Sequence, residues 1–297
     1  MKTPEKLFIL PFDHRSYFLK KSGVIDREPT EAEKELVRNH KKIIYQAFQK
    51  SLELGIPKES AAILVDDIYG KEILLDAKNN NYTTIQTTEI SGLDYFAFEH
   101  GNDAEQYLVE IMPNYAKALV RLDPRNNTEL EKTSLANLKK LDEICKKNNI
   151  GFLIEPLFFP NASDKEIFGD DKRAFDEQAR PKLVQQLMDI LYTENIRPDI
   201  WKIEGFSQSE NYQSVADHLH TYDPDARIVI LGRNETPEFV AKWITAGKSV
   251  STVIGFAVGR TVFDAVLDEQ QSGAISESQA IEKIAGNFYH YYKLFVE

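Results

Sequence analysis

The chain's 297 residues carry 47 Asp and Glu against 36 Lys and Arg, a formal net charge of -11, which argues against a nucleic-acid backbone as partner because such binding needs clustered cations. Hydrophobic residues at 42% and charged residues at 28% suit a globular chain with a full core and exclude a disordered one. Cys145 is the only cysteine, which excludes an intramolecular disulfide and a cysteine-based zinc site and suits a reducing cytoplasm.

The first apolar run, about six residues ahead of Asp13, is too short for a signal peptide or a membrane span. No later run approaches a spanning length, so a cytoplasmic protein without membrane partners is expected. From that point short, nearly continuous apolar runs alternate with segments of helical periodicity. Strands are expected at 7–12, 62–65, 83–86, 116–121, 151–154, 199–203, 227–231 and 252–256. Helices are expected at 31–54, 70–79, 103–112, 129–147, 174–194, 209–220, 237–246 and 277–295. In 129–147, Leu130, Leu135, Leu138, Leu141 and Ile144 fall near three- and four-residue spacing, with lysines and glutamates on the other face. Thr30 with Glu33, and Thr236 with Pro237, are helix-start signals.

Eight strand-helix alternations without a dividing linker predict a single α/β domain over residues 1–297, a (β/α)₈ TIM barrel. The longest expected irregular stretch, 156–173, carries Phe158, Phe159 and Phe168 and is either a lid or a surface excursion. The aromatic residues Phe288, Tyr289, Tyr291, Tyr292 and Phe295 point to a last helix that closes the barrel or forms a subunit contact, and a homo-oligomer is expected. Trp243 reads as core.

In such a barrel the chemistry sits where the strands end at their C-termini. There the sequence places Asp13, His14 and Arg15 after the first strand, Asp66 and Asp67 after the second, and Glu89 after the third. Lys117 and Arg121 belong to the fourth, Glu155 ends the fifth, Lys202 and Glu204 lie on the sixth, and Arg233 and Arg260 follow the seventh and eighth. Lys202, between Trp201 and Ile203, is the sharpest signal, because an unpaired ammonium in a packed sheet is costly. An amine whose pKa is lowered by burial or a neighbouring cation can form a Schiff base with a substrate carbonyl; the structural alternative is an ion pair with Glu155 or Glu204. Lys117 either faces the same interior layer, where repulsion would depress one amine and Glu155 could shuttle protons, or points outward to the helices.

Gly259-Arg260 at a helix start and Gly232-Arg233 one strand earlier suggest a phosphate site for a small sugar phosphate. Of the six histidines only His14 lies clearly at a strand end, and His218 and His220 do not share a helix face. No histidine cluster for a catalytic zinc is visible, and neither a metal nor another cofactor is expected, although the carboxylates could hold magnesium together with a substrate phosphate.

The strand ends PFDHRS, ILVDDIYG, Thr88 to Gly92, AKALVRLDP, FLIEPLF, WKIEGF and IGFAVGRTVF resemble, in order, those of class I aldolase barrels of the tagatose-bisphosphate type. They are closer to the aldolase-like domain fused behind a sugar kinase in some bacterial inositol-catabolism proteins, which is associated with cleavage of 2-deoxy-5-keto-gluconate 6-phosphate. The similarity runs from Leu7 to about Phe263 and does not include the kinase half. The resemblance implies that Lys202 is the Schiff-base lysine, Lys117 the second active-site lysine, Glu155 the acid ending strand five, Asp13 the aspartate after strand one, and Arg260 the phosphate-binding arginine. His14 and Arg15 depart from the family's Gln-Arg-Gly type of turn, and Arg233 stands where a smaller, less charged sequence is found.

The expected activity is aldol cleavage of a phosphorylated keto sugar or keto sugar acid to dihydroxyacetone phosphate and an aldehyde. Lys202 is the nucleophile; Glu155 and Asp13 move protons; Lys117 tunes the amine. Arg260, Gly259, Arg233, Gly232, Arg15 and Glu89 are the candidate substrate and phosphate ligands. Two rival readings are a non-catalytic sugar-phosphate-binding barrel and a metal-assisted lyase or isomerase using Asp13, Asp66 and Glu89.

Overall fold

Short apolar segments followed by amphipathic helices bury both faces of a parallel sheet, and closing that sheet removes its edges. In the computed structural model, which describes residues 3–297, β1 (Leu7–Pro11), β2 (Ala61–Val65), β3 (Thr83–Thr87) and β4 (Tyr115–Val120) pair in sequence order. They continue into β5 (Gly151–Pro156), β6 (Ile200–Glu204), β7 (Arg227–Leu231) and β8 (Val253–Ala257), and β8 pairs back onto β1 to close the barrel. The expected TIM-barrel fold is the one found.

The helices are α1 (Arg15–Lys21), α2 (Glu31–Glu53), α3 (Asp67–Asn79), α4 (Ala104–Ile111), α5 (Glu129–Asn148) and α6 (Ala162–Phe168). Then come α7 (Lys172–Gln178), α8 (Arg180–Thr193), α9 (Ser209–His220), α10 (Pro237–Gly247), α11 (Arg260–Gln271) and α12 (Glu277–Val296). Thr30 and Glu33 form the expected reciprocal cap of α2, and Thr236 caps α10 just ahead of Pro237. Among the described residues no helix is long and apolar enough to cross a membrane.

Two expectations need correction after β5. The stretch 156–173 is not irregular: Asn161 and Asp164 form a capping box that starts α6, and α7 begins at Lys172. The single helix expected over 174–194 is two, because Pro181 lacks an N–H and its ring excludes the carbonyl four residues back. It is accepted only in the first turn of a new helix, so α7 ends at Gln178 and α8 starts at Arg180. Phe158 is buried, whereas Phe159 is exposed.

The interior of the barrel has its own apolar cluster, which includes Leu7, Ile9, Leu64, Ile85, Tyr115, Leu153, Ile200, Val229 and Ile254. Because side chains on a strand alternate faces, the residues two positions further along also point inward. Lys117 therefore follows Tyr115, Glu155 follows Leu153 and Lys202 follows Ile200 into the same interior, and the outward alternative for Lys117 is excluded. The expected ends of β3, β5, β6 and β8 were short by one or two residues and those of β1 and β4 one residue long; at the end of β5, Glu155 and Pro156 pair Leu119 and Val120 of β4, which brings Glu155 into the sheet.

A larger cluster lies between barrel and helices. There α12 covers the outer face of β1 and β8, with the Phe8 ring 5.4 Å from Phe256, 5.1 Å from Tyr292 and 5.5 Å from Phe295. Its aromatic face thus packs within the chain. Trp243 is fully buried, as expected.

Candidate active site

Above the apolar floor the interior becomes charged. The Lys117 ammonium lies 2.6 Å from Glu89 Oε1, 2.8 Å from Glu155 Oε2 and 3.0 Å from Asp13 Oδ2. The other oxygen of Glu155 is 2.8 Å from the Lys202 ammonium, so one carboxylate joins β4 to β6. All five side chains are buried. Isolated charges there would be strongly penalised, and each is present only because a counter-charge is in reach.

The surroundings divide the two lysines. Burial alone would lower the Lys117 pKa, but Asp13, Glu155 and Glu89 outweigh it and hold the group well above the ordinary lysine value. Lys117 is a fixed ammonium. Burial would raise Asp13, yet Lys117, His14 and Lys202 hold it far below the usual carboxylate range. Burial likewise opposes, and the Lys117 and Lys202 charges overcome it, in keeping Glu155 below its ordinary value. Lys202 has one carboxylate neighbour among the described residues, and that neighbour is shared.

A third buried lysine shows what full satisfaction looks like. Lys41, in the middle of α2, lies 2.5 Å from Asp66 Oδ2, donates also to the Phe12 carbonyl, and sits 4.7 Å from the Phe18 ring centroid. Asp66 in turn accepts from the Tyr69 N–H as the cap of α3. Nothing in the pattern of strand ends pointed to Lys41, although it shares the spacing of the buried residues Val37, Ile44 and Phe48, which marks the inward face of α2.

The candidate phosphate ligands separate as well. Arg260 opens α11 and, among the described residues, forms no ion pair; its guanidinium is 5.9 Å from the Tyr17 ring centroid, and burial lowers its pKa. Gly259 ahead of it has no room for a side chain, since a Cβ there would fall 2.3 Å from the Pro11 carbonyl oxygen. With His14, Gly232 and Arg233 these residues line a small pocket between the ends of β1, β7 and β8. A guanidinium without a partner at the first turn of a helix is a place an anion can occupy.

Arg233 and Arg15 do not offer free charge. Arg233 is 2.8 Å from Asp176 Oδ1 and also pairs with Glu204. Arg180 completes this network, 3.3 Å from Glu204 and donating to the Gly205 carbonyl at 2.7 Å. Arg15 lies 2.6 Å from Glu99 and donates to the backbone carbonyl of Glu89. Asp176 and Arg180 had no signal in the sequence, because they sit on helical turns whose packing against β6 was not foreseeable.

Among the described residues no group of three or more His, Cys, Asp or Glu side chains is arranged to hold a metal ion. Asp13, Glu89 and Glu155 do converge, but on the ammonium of Lys117, which takes the central place a cation would need. Asp66, expected to join them in the metal-assisted reading, faces Lys41.

Fold and mouth together define an α/β barrel with a charged pocket at the C-terminal ends of its strands. The chain belongs to the family described as uncharacterized proteins conserved in bacteria (DUF2090), whose model matches residues 1–297. No curated protein matches it in sequence. Similar solved structures include Cgl0159 of Corynebacterium glutamicum, at 14% identity and TM-score 0.57, with 96% of this chain and 86% of that one covered. A fructose-bisphosphate aldolase from Slackia heliotrinireducens is similar at 12% identity and TM-score 0.57 over 95% of this chain and 86% of that one. The YdjI aldolase of Escherichia coli K12 follows at 8% identity and TM-score 0.54, covering 86% and 88%. At these identities the likeness is one of fold.

Proposed function

We propose that this chain is a class I aldolase that cleaves a phosphorylated keto sugar or keto sugar acid, of the 2-deoxy-5-keto-gluconate 6-phosphate kind, to dihydroxyacetone phosphate and an aldehyde. The observation that carries this reading is the Glu155 carboxylate held 2.8 Å from each of two buried lysines, one of them locked by three carboxylates and the other not. A Schiff base needs an amine that can shed a proton and a nearby group to take it. Lys117 is too heavily paired to serve, and Lys202 has Glu155 beside it.

In this mechanism Glu155 takes the proton from Lys202, the amine attacks the substrate ketone, and Glu155 returns a proton to the carbinolamine hydroxyl as water leaves. The iminium then draws electrons from the neighbouring carbon-carbon bond. Lys117, a permanent cation beside the reacting centre, keeps Glu155 ionised between its turns and can hold a substrate oxygen. Arg260 and the N-terminus of α11 bind the phosphate. The resemblance at the strand ends supports the same assignment, and two of the barrels similar in fold carry aldolase names.

Borohydride reduction in the presence of dihydroxyacetone phosphate, followed by peptide mass analysis, tests the reading. The expected result is a single adduct on Lys202. Reduction that labels no lysine, or only one outside β6, would overturn it.

A further inference from the structure

His14 is the residue at the mouth that this mechanism leaves without a task. It immediately precedes α1, but its side chain makes no capping hydrogen bond to that helix. Its side chain is 27% exposed, and its Nδ1 is buried and, among the described residues, without a hydrogen-bond partner. Across from it, 3.7 Å away, stands Asp13 Oδ1, which is also buried and also without one. Buried polar atoms are ordinarily paired, so two facing atoms just too far apart to bond each other mark a place where a third polar group fits. The ring borders the same pocket as Gly259 and Arg260. Its charged neighbours are Asp13, Arg260, Lys202 and Glu155, and the Tyr17 ring lies edge-on with centroids 6.3 Å apart.

Breaking the carbon-carbon bond of a ketose iminium requires a base for the hydroxyl on the carbon β to the iminium. The other groups in the mouth are committed. Lys117 is an ammonium, Asp13 gives one oxygen to it and is held so far below the usual carboxylate range that its other oxygen is a weak proton acceptor, and Glu155 is engaged with both lysines. His14 is uncharged at neutral pH: burial, together with the Arg260 and Lys202 cations against the opposing pull of Asp13, brings it down to about 4.

We propose that His14 is the base that takes the β-hydroxyl proton of the substrate bound to Lys202, an assignment that rests on the Schiff-base reading above. As a ring nitrogen takes that proton, the O–H electron pair becomes the second bond of the aldehyde carbonyl. The bond between the α and β carbons breaks, and its electron pair neutralises the iminium as an enamine. The imidazolium passes its proton to solvent. The enamine takes a solvent-derived proton at the α carbon by way of Glu155, and water then releases dihydroxyacetone phosphate from Lys202.

The base for the β-hydroxyl is needed for cleavage but not for exchange of the α hydrogen of dihydroxyacetone phosphate, which uses only Lys202 and Glu155. The His14→Ala variant is expected to cleave 2-deoxy-5-keto-gluconate 6-phosphate with kcat lower by about 10²- to 10⁴-fold. It is expected to exchange the α hydrogen of dihydroxyacetone phosphate with deuterated water at the wild-type rate, to keep the borohydride adduct on Lys202, and to regain cleavage with added imidazole. His14→Gln, which retains bulk and hydrogen bonding but no base, should show the same split if the alanine variant folds poorly. Undiminished cleavage with adducts in both proteins would overturn the assignment of His14 alone, as would a parallel loss of cleavage and exchange. Absence of any adduct in the wild-type protein would overturn the Schiff-base reading and this assignment with it.

Discussion

Lys41 and Lys202 are equally inaccessible ammonium groups near the upper rim of one barrel, and they differ in company. Lys41 has a carboxylate of its own, a backbone carbonyl and an aromatic face. Lys202 has a single oxygen of a carboxylate that is also engaged by Lys117. Burial by itself therefore says nothing about the task of a lysine; the number of partners does. A saturated ammonium ties α2 to the ends of β1 and β2, whereas an under-partnered one facing the barrel mouth is available for bond formation in the proposed reaction.

The largest effect that sharpens this contrast belongs to Lys202→Met, which is expected to lower kcat on the order of 10⁴-fold or more while the urea midpoint changes little, since no carboxylate loses its only partner. A Lys202→Met variant that still turned over would dissolve the distinction. Next, Glu155→Gln is expected to reduce kcat about 10²- to 10⁴-fold, and rapid-quench trapping should show slower formation of the Lys202 adduct.

Lys41→Met is expected to act on stability instead, by about 3–5 kcal/mol in urea unfolding, because it leaves the buried Asp66 carboxylate without its counter-charge. Turnover per folded molecule should be largely retained. Adding Asp66→Asn to that variant should restore part of the loss, as the buried charge disappears while a side-chain oxygen still caps α3. If Lys41→Met cost no stability, the idea of a saturated structural pair would fail.

The smallest expected effect is an acid response. Asp13 and Glu155 have folded pKa values below their ordinary ones, so their contribution is complete above the unfolded carboxylate values near about 4 and is lost as pH falls from there toward the folded values. The raised value of Lys117 has the opposite sense. Its contribution is complete below the unfolded lysine value of about 10.4 and is lost only as pH rises through the higher folded value. Thermal midpoints should thus fall below about pH 4, and Asp13→Asn should flatten that fall. An unchanged acid limb in the variant would mean that the mouth cluster does not set it.

Residues such as Leu7 to Pro11 and Ile228 to Leu231 announced their strands, because an element covered on both faces has to be continuously apolar. The residues after those strands announced the end of the barrel where chemistry would lie. His14, by contrast, was legible as a strand-end histidine and as a departure from a family turn but was given no role, and Asp176 and Arg180 were not noticed at all. Their importance comes from groups distant along the chain, and no local pattern carries that information. The same holds for Arg233 and Arg15, whose charges looked free until Asp176, Glu204 and Glu99 were found beside them.

The amino-acid sequence alone determined the alternation of strand and helix, and with it the barrel and the rim on which the charged residues stand, because hydrophobic periodicity is a local property of the chain. Only the tertiary structure decided which lysine is saturated, which arginine is left unpaired and which way Lys117 points. Those outcomes depend on distances of a few ångströms between elements far apart in the chain, where one counter-charge more or less reverses what a buried group can do.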